Sequence, residues 1–159
     1  MTEPDLFTRA SEAWDAGNLK EAFDLFHEAV KNGDSSSQLN LGYFYDEGIG
    51  VKKDIKKALY WYKKAARNGD PGAMSNIAIY YRSIGNIRRA KFWFLKGIDI
   101  CNGGDDALEI AKIYLSRKGK ANIKKAIYYL NLVNKTKYVS EAGIEEAEEL
   151  LGSLKDVEK

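Results

Sequence analysis

Few residues of the sequence have the chemistry and the spacing of a catalytic or ligand-binding site. His27 is the only histidine, and no cysteine or serine motif accompanies it, so both a catalytic pair and a set of metal ligands are incomplete. Gly48-Ile49-Gly50 lacks the third glycine and the preceding strand of a dinucleotide-binding loop. Cys101, near a helix end, is expected to fill space. The sequence therefore predicts no enzyme, no cofactor and no metal site.

Composition favours a folded helical chain. Hydrophobic residues make up 45% of the sequence and charged residues 30%, a balance that suits a folded domain better than a disordered or membrane-spanning chain. Only Pro4 and Pro71 interrupt a sequence rich in helix-forming residues. We expect an all-α fold and a single domain over residues 1–159.

The amino terminus and the cysteine content predict the cellular location. The first residues, MTEPDLFTRASEAWDAG, are acidic and amphipathic, unlike the basic start and continuous apolar run of a secretory signal. No window of about eighteen residues is continuously apolar. Cys101 is the single cysteine and cannot form an internal disulfide. We expect a cytoplasmic protein without a membrane segment.

The chain repeats itself. Asn32-Gly33-Asp34 recurs as Asn68-Gly69-Asp70 and, loosely, as Gly103-Gly104-Asp105, so that the aspartates are 36 and then 35 residues apart. A fixed period of about 20 to 50 residues is the signature of stacked structural repeats.

A second marker follows the same period. Four alanines are each followed four residues later by an aromatic residue or leucine, and seven residues later by a mostly small residue; they are Ala22, Ala58, Ala90 and Ala126. These offsets lie on one helical face, where a small residue lets two helix axes approach closely. Upstream lies another helix with a small residue three before an aromatic, as in Gly42 and Tyr45. Glycine-containing turns separate the two, so each unit is predicted to be an antiparallel helix pair.

These markers predict four repeats, at about 4–34, 35–70, 71–104 and 105–138. Asp70-Pro71 opens the third as an N-cap followed by a first-turn proline. Residues 140–155 differ, with apolar residues on one side and Glu145-Glu146 and Glu148-Glu149 on the other. This last pattern predicts a capping helix with a solvated face.

The second unit carries a family resemblance. It contains, in order, Leu41-Gly42, Tyr45, Gly48-Ile49-Gly50-Val51, Asp54, Lys57-Ala58, Trp61-Tyr62, Ala65-Ala66 and Asn68-Gly69-Asp70. This series resembles a Sel-one-like repeat (SLR), the longer-looped relative of the tetratricopeptide repeat. The resemblance covers roughly residues 4–138. It implies a right-handed α-solenoid whose first helices line a concave face, and a binding scaffold rather than a catalyst.

The resemblance also implies which residues line the concave face. Transferring the tetratricopeptide register places there Phe7, Ser11, Trp14, Asp15, Leu39, Tyr43, Asp46, Glu47, Ile79, Arg82, Lys112 and Leu115. An apolar strip bordered by charge is typical of an interaction surface. The border is expected to change from acidic at Asp15, Asp46 and Glu47 to basic at Arg82 and Lys112. The alternative for Trp14 and for Tyr43 is that each packs between neighbouring first helices.

We therefore expect an adaptor that binds a protein or peptide partner in this groove. Small bacterial chains of the family include immunity proteins that neutralise a cognate toxin, which is one alternative function. Oligomeric state does not follow from the sequence.

Charge suggests a second alternative, a nucleic-acid binder. Residues 1–50 carry a net charge of −7, residues 51–138 of +14 and residues 139–159 of −5. Basic pairs recur at the start of successive second helices, at Lys56-Lys57, Arg88-Arg89 and Lys124-Lys125. They are expected either to keep the outer surface soluble or to form a docking stripe. Most aromatics of residues 50–70, Trp61 and Tyr62 among them, are expected to be buried, which leaves no platform for stacked bases and makes nucleic acid the less favoured partner.

Overall fold

The computed structural model describes residues 4–117 and 119–157. Over these residues it contains nine helices: α1 (Leu6–Asp15), α2 (Leu19–Lys31), α3 (Ser37–Glu47), α4 (Ile55–Arg67), α5 (Pro71–Ser83), α6 (Ile87–Cys101), α7 (Gly104–Leu115), α8 (Lys120–Val133) and α9 (Glu141–Val157). Extended pairing in this part of the chain is limited to an isolated backbone bridge between Gly103 and Tyr138. The all-α fold class is therefore confirmed.

The chain forms two compact units, Met1–Ala73 and Met74–Lys159. The first unit contains α1 to α4 and the start of α5, and the second contains the rest of α5 and α6 to α9. In the first unit α1 packs on α2, α2 on α3, and α3 on α4. In the second unit α6 packs on α7, α7 on α8, and α9 on both α7 and α8. Short turns join consecutive helices, so each unit is built from helical hairpins.

The hairpins are packed through the repeated alanines. All four alanines that mark the repeat are fully buried: Ala22, Ala58, Ala90 and Ala126. The residues four positions later are buried as well, and they fill the space beside the crossing: Phe26, Tyr62, Phe94 and Leu130. The face predicted from the spacing is therefore the face that the helices bury.

A glycine makes the crossing of α3 and α4 possible. A Cβ atom at Gly42 would lie 2.5 Å from Cε1 of Tyr62 and closer still to Cδ1. The ring of Tyr62 is buried, and its hydroxyl donates to Oδ2 of Asp46 over 3.3 Å. Burial, followed by the charge of Asp46, raises the pKa of the Tyr62 phenol, so the hydroxyl stays a donor. Because the ring is buried and its hydroxyl is hydrogen-bonded, it cannot easily move, and it leaves room for only a hydrogen atom at position 42.

The turns and caps follow the sequence signals. The side chain of Asp70 accepts from the backbone N–H of Ala73 over 2.8 Å, which confirms the predicted N-cap before Pro71. Asp54 caps α4 in the same way, accepting from the N–H groups of Lys56 and Lys57. Gly50 has a φ of 62°, and a Cβ there would overlap the carbonyl oxygen of Leu19, so the longer α3–α4 loop needs glycine for two reasons.

The basic pairs have a structural role inside each hairpin. The second cation of each pair lies over the aromatic ring of the preceding helix: Lys57 over Tyr45 at 5.1 Å from the ring centroid, Arg89 over Tyr81 at 5.2 Å and Lys125 over Tyr114 at 5.4 Å. Each distance is within the range of a cation–π interaction, about 6 Å. Half of the expected docking stripe is therefore engaged in holding the hairpins together.

Helix α9 covers the core of the second unit. Its apolar residues and those of α6 and α8 pack against a buried cluster formed by Ala107, Leu108, Ala111, Leu130, Val133 and Ala147. Its start is fixed by Ser140, whose hydroxyl accepts from the N–H of Gly143 over 3.1 Å and donates to Asp105 of α7 over 2.7 Å. The last helix is thus anchored both by apolar burial and by a shared cap.

We predict that Gly42→Ala destabilises the protein by about 1–3 kcal/mol, because the added methyl group must displace a buried ring. Gly152 in α9 is the matched control, since nothing lies within 4 Å of a Cβ placed there. Gly152→Ala should leave stability unchanged or raise it by about 0.5–1 kcal/mol, the usual preference of a helix for alanine over glycine. Urea unfolding followed by circular dichroism measures both values, and equal effects would show that the α3–α4 crossing is not tight.

Candidate functional site

The residues expected on one concave face fall into two groups, one in each unit. Eight belong to the first unit: Phe7, Ser11, Trp14, Asp15, Leu39, Tyr43, Asp46 and Glu47. Four belong to the second: Ile79, Arg82, Lys112 and Leu115. A single groove formed by all twelve stays a prediction.

An aromatic cluster on α1 and α3 dominates the group in the first unit. The ring of Trp14 is half-buried and lies 5.0 Å from the buried ring of Phe44 and 6.2 Å from that of Phe26, both edge-on. Its other neighbour is Tyr43, 5.7 Å away and tilted by 35°. Phe7 packs edge-on against Phe26 at 5.8 Å. The cluster therefore rises from the core to the surface in one continuous stack.

Tyr43 is the exposed end of that stack. Its side chain is 39% exposed although Trp14 contacts it. Trp14 on α1 and Tyr43 on α3 contact each other, which agrees with the alternative that they pack between neighbouring first helices. Tyr43 nevertheless presents an aromatic edge to solvent. A tyrosine supported by buried rings is rigid, so a partner that covers it loses little conformational freedom.

Three carboxylates of the predicted face lie on α1 and α3, the two helices of the aromatic cluster. Asp15 and Glu47 are exposed, and Asp46 is half-buried because it accepts the hydrogen bond from Tyr62. An acidic border of the binding face stays a prediction. Leu39, by contrast, is half-buried, with Cδ2 3.3 Å from the position of a Cβ at Gly72, so it is partly used in packing against α5.

The basic border expected in the second unit is wrong. Arg82 forms an ion pair with Glu109, and Lys112 bridges Glu109 at 3.3 Å and Glu146 at 2.7 Å. Two cations and two carboxylates thus form a chain from α5 through α7 to α9, and their charges cancel. The sequence shows the charges of Arg82 and Lys112 but not their neighbours, because Glu109 on α7 and Glu146 on α9 reach them only through the packing of the helices. Near them Ile79 is 45% exposed and Leu115 is half-buried.

The expectation that most aromatics of residues 50–70 are buried holds only in part. Tyr62 is buried, Trp61 is half-buried, and Tyr60 is 53% exposed, with the Nζ of Lys64 4.8 Å above its ring. The pattern recurs in the second unit, where Phe92 and Tyr128 are exposed. The statement that no aromatic platform is available on the second helices was therefore wrong.

The periodicity of a helix could have identified these exposed rings. Tyr60, Phe92 and Tyr128 each stand two positions after a crossing alanine. Two residues turn a helix by about 200°, which places the second residue on the side opposite the crossing. Counting from Ala58, Ala90 and Ala126 thus predicts exposure at these three positions.

A carboxyl group is buried in the second unit. Asp106, in the first turn of α7, is 4% exposed and accepts a hydrogen bond from the hydroxyl of Ser75 over 2.7 Å. A Cβ at Gly97 of α6 would overlap its Oδ2 atom, which explains why glycine stands at that crossing. Burial raises the pKa of Asp106 to about 6, although the hydrogen bond from Ser75 opposes the change.

The only histidine of the sequence and the acidic residues are further candidates for ligands. His27 is half-buried between rings, 6.0 Å from Phe23 and 6.5 Å from Trp61. Within residues 4–117 and 119–157, no three histidine, cysteine or acidic side chains come together as metal ligands. None of the helices in that part of the chain combines the length and the apolar character that crossing a bilayer requires.

Comparison with known families identifies the repeat. The model of the Sel1 repeat matches residues 16–34, 35–70, 71–99 and 107–132, well over half of the chain. No curated protein matches the sequence.

Two of the solved structures that resemble this fold illustrate the similarity. A Sel1 repeat protein from Oxalobacter formigenes aligns with a TM-score of 0.69 and 22% identity, over 84% of this chain and 55% of that one. A protective antigen present in uropathogenic Escherichia coli strains, which displays an SLR fold, aligns with a TM-score of 0.64 and 25% identity, over 73% of this chain and 26% of that one. The chain thus spans about half the length of one neighbour and about a quarter of the other. These similarities confirm the SLR fold.

We predict that Asp106 makes stability depend on pH. Because its pKa is about 6 in the folded protein and about 4 in an unfolded chain, the folded state holds the proton more tightly. The resulting stabilisation is complete below about pH 4 and is lost as pH rises through about 6, a change of up to about 3 kcal/mol.

Urea unfolding of the wild type and of Asp106→Asn between about pH 4 and pH 7 tests this dependence. Asparagine keeps the acceptor for Ser75 but cannot ionise, so the free energy of unfolding of the wild type should fall relative to the variant as pH rises. Asp15→Asn, at an exposed position, should track the wild type. Parallel curves for the wild type and Asp106→Asn would contradict the prediction.

Proposed function

Because the chain belongs to the Sel1 repeat family, whose members generally mediate protein–protein interactions, we propose that it is a scaffold or adaptor that binds a protein or peptide partner through its first helices. The binding face in this proposal is formed by α1 and α3 and centres on Tyr43.

The observation that carries the proposal is the aromatic stack of the first unit. Tyr43 is exposed, Trp14 supports it, and Phe26 and Phe44 behind Trp14 are fully buried. Tyrosine and tryptophan are enriched among the residues that dominate binding energy at protein interfaces. A rigid ring at the surface is an anchor for an apolar side chain of the partner.

The charge beside Tyr43 indicates the chemistry of that partner. Asp15 and Glu47 are exposed, and residues 1–50 carry a net charge of −7. Such a field attracts cations and raises the rate at which a basic segment is captured. The proposed ligand is therefore a segment with an apolar side chain flanked by lysine or arginine.

The proposal treats the protein as a binding scaffold without catalytic activity, in line with the usual character of the SLR fold. It also places the interaction in the cytoplasm, since the sequence has one cysteine and cannot form an internal disulfide.

The test is affinity capture from cells with quantitative mass spectrometry, comparing the wild type with Tyr43→Ala. We expect recovery of the specific partner to fall about tenfold, since truncation of a central interface tyrosine costs about 1.4 kcal/mol or more. Tyr60→Ala is the matched control, because Tyr60 is an exposed tyrosine on a second helix of the same unit.

A charge variant tests the role of the acidic residues separately from that of the Tyr43 ring. Asp15→Lys combined with Glu47→Lys changes exposed positions only and should slow association with the partner recovered by the wild type, with little effect on dissociation. Surface plasmon resonance measures both rates. Unchanged recovery with Tyr43→Ala, or a loss with Tyr60→Ala of the same size, would show that the first-helix face is not the binding site.

A further inference from the structure

The second unit has an apolar groove on its second helices, formed by none of the residues of the proposed first-helix face. It lies between α6 and α8 and encloses about 610 Å³. Phe92, Leu95, Ile100 and Tyr128 line it, and all four are exposed. The residues that the structure describes include ten large exposed hydrophobic side chains, so this one groove gathers four of them. Such clustering marks an interaction surface, whereas single exposed hydrophobics do not.

The floor of the groove is fixed by the core. Ile98, Tyr129 and Leu132 line the groove and also pack against the buried cluster beneath α9. Tyr129 is stacked on Tyr114, with ring centroids 5.9 Å apart and planes inclined by 12°. A groove with a packed floor is preformed, so a ligand does not have to order it on binding.

The groove is basic at one end. Within the groove itself one cation, Lys96, and one carboxylate, Asp99, line the wall. A second hollow of about 440 Å³ shares Phe92 and Leu95 with the groove and adds Arg88, Lys91 and Arg117. Lys91 is held in place there, since its Nζ donates to the hydroxyl of Tyr114 over 2.8 Å. The apolar surface thus continues into a cationic end.

We propose that the α6–α8 groove binds an amphipathic segment of a partner protein that carries aspartate or glutamate beside its apolar face. Its apolar side chains cover Leu95 and Tyr128, and its carboxylates face Arg88 and Arg117. This surface is additional to the first-helix face and takes a ligand of the opposite charge.

The lining of the groove favours such a segment over nucleic acid. Its lining has four aliphatic side chains, Leu95, Ile98, Ile100 and Leu132, beside the three rings of Phe92, Tyr128 and Tyr129, and only the rings offer a base a surface to stack on. An amphipathic protein helix instead matches a row of aliphatic and aromatic side chains with cations at one end.

The experiment uses the full chain and three synthetic peptides of about 18 residues, the length of a short groove-binding helix. One has leucine and phenylalanine on one helical face and glutamate on the other; the second has lysine in place of glutamate; the third has serine in place of the apolar residues. Fluorescence anisotropy at about 0.15 M salt gives each Kd. We expect the glutamate peptide to bind at least about tenfold more tightly than the other two.

Variants of the protein locate the binding. Leu95→Glu and Tyr128→Glu should each raise the Kd of the glutamate peptide about tenfold or more, because both put a carboxylate into the apolar contact. Arg88→Glu combined with Arg117→Glu should weaken binding and reduce its dependence on salt. Tyr60→Glu is the matched control at an exposed aromatic outside the groove, and Tyr43→Ala tests the first-helix face; both should leave the Kd unchanged. Circular dichroism verifies that each variant is folded.

Several results would overturn the proposal. They are the absence of saturable binding of the glutamate peptide, equal binding of the lysine peptide, and a Kd that Leu95→Glu and Tyr128→Glu do not change. Tighter binding of an oligothymidylate, lost in Phe92→Ala and Tyr128→Ala, would assign the groove to nucleic acid. A dimer seen by analytical ultracentrifugation and dissociated by Leu95→Glu would assign it to a second copy of the chain. If Tyr43→Ala does not reduce recovery in the capture experiment, the first-helix face is not the binding site, but the proposal for the α6–α8 groove still stands.

Discussion

The hairpins of this protein depend on the absence of side-chain volume where two helices cross. Gly42 faces the fixed ring of Tyr62, Gly97 faces the buried carboxylate of Asp106, and the four repeated alanines are fully buried. Packed helix axes lie about 8–10 Å apart, and small residues at the contact allow the closer approach. The same register decides what is exposed. Residues four positions after a crossing alanine are buried, and those two positions after it face solvent, so one spacing produces both the core and the exposed rings of the second helices.

Several charges of the chain are engaged by neighbours within each unit. The second cation of each basic pair lies over an aromatic ring of the preceding helix, and Arg82 and Lys112 are balanced by Glu109 and Glu146. The net charge of +14 in residues 51–138 is therefore a poor guide to where a partner binds. The surfaces that stand out are those where exposed rings adjoin one sign of charge, acidic beside Tyr43 and basic beside Phe92 and Tyr128. The two proposed binding surfaces therefore differ in the sign of their charge.

The fold could be predicted from the sequence because its signals are local. The alanine spacing, the Asp70-Pro71 start and the glycine turns each act within one helix or one loop, and each is present in the structure. The site was harder to predict, because exposure depends on contacts between helices. The ion pairs of Glu109 and Glu146 join α5, α7 and α9, which no single repeat reveals. The exposure of Tyr60 could have been inferred from its offset to Ala58, whereas the groove between α6 and α8 needs both helices in place.

The crossing of α3 and α4 depends on the absence of a methyl group at Gly42. A double-mutant cycle between Gly42 and Tyr62 tests this dependence most directly. Tyr62→Val removes the Cδ1 and Cε1 atoms that a methyl group at position 42 would meet. The free energy of unfolding is measured by urea denaturation for both single variants and the double variant. We expect Gly42→Ala to be destabilising when Tyr62 is present, and neutral or stabilising by up to about 1 kcal/mol in the Tyr62→Val background. The same loss of stability in both backgrounds would contradict the account.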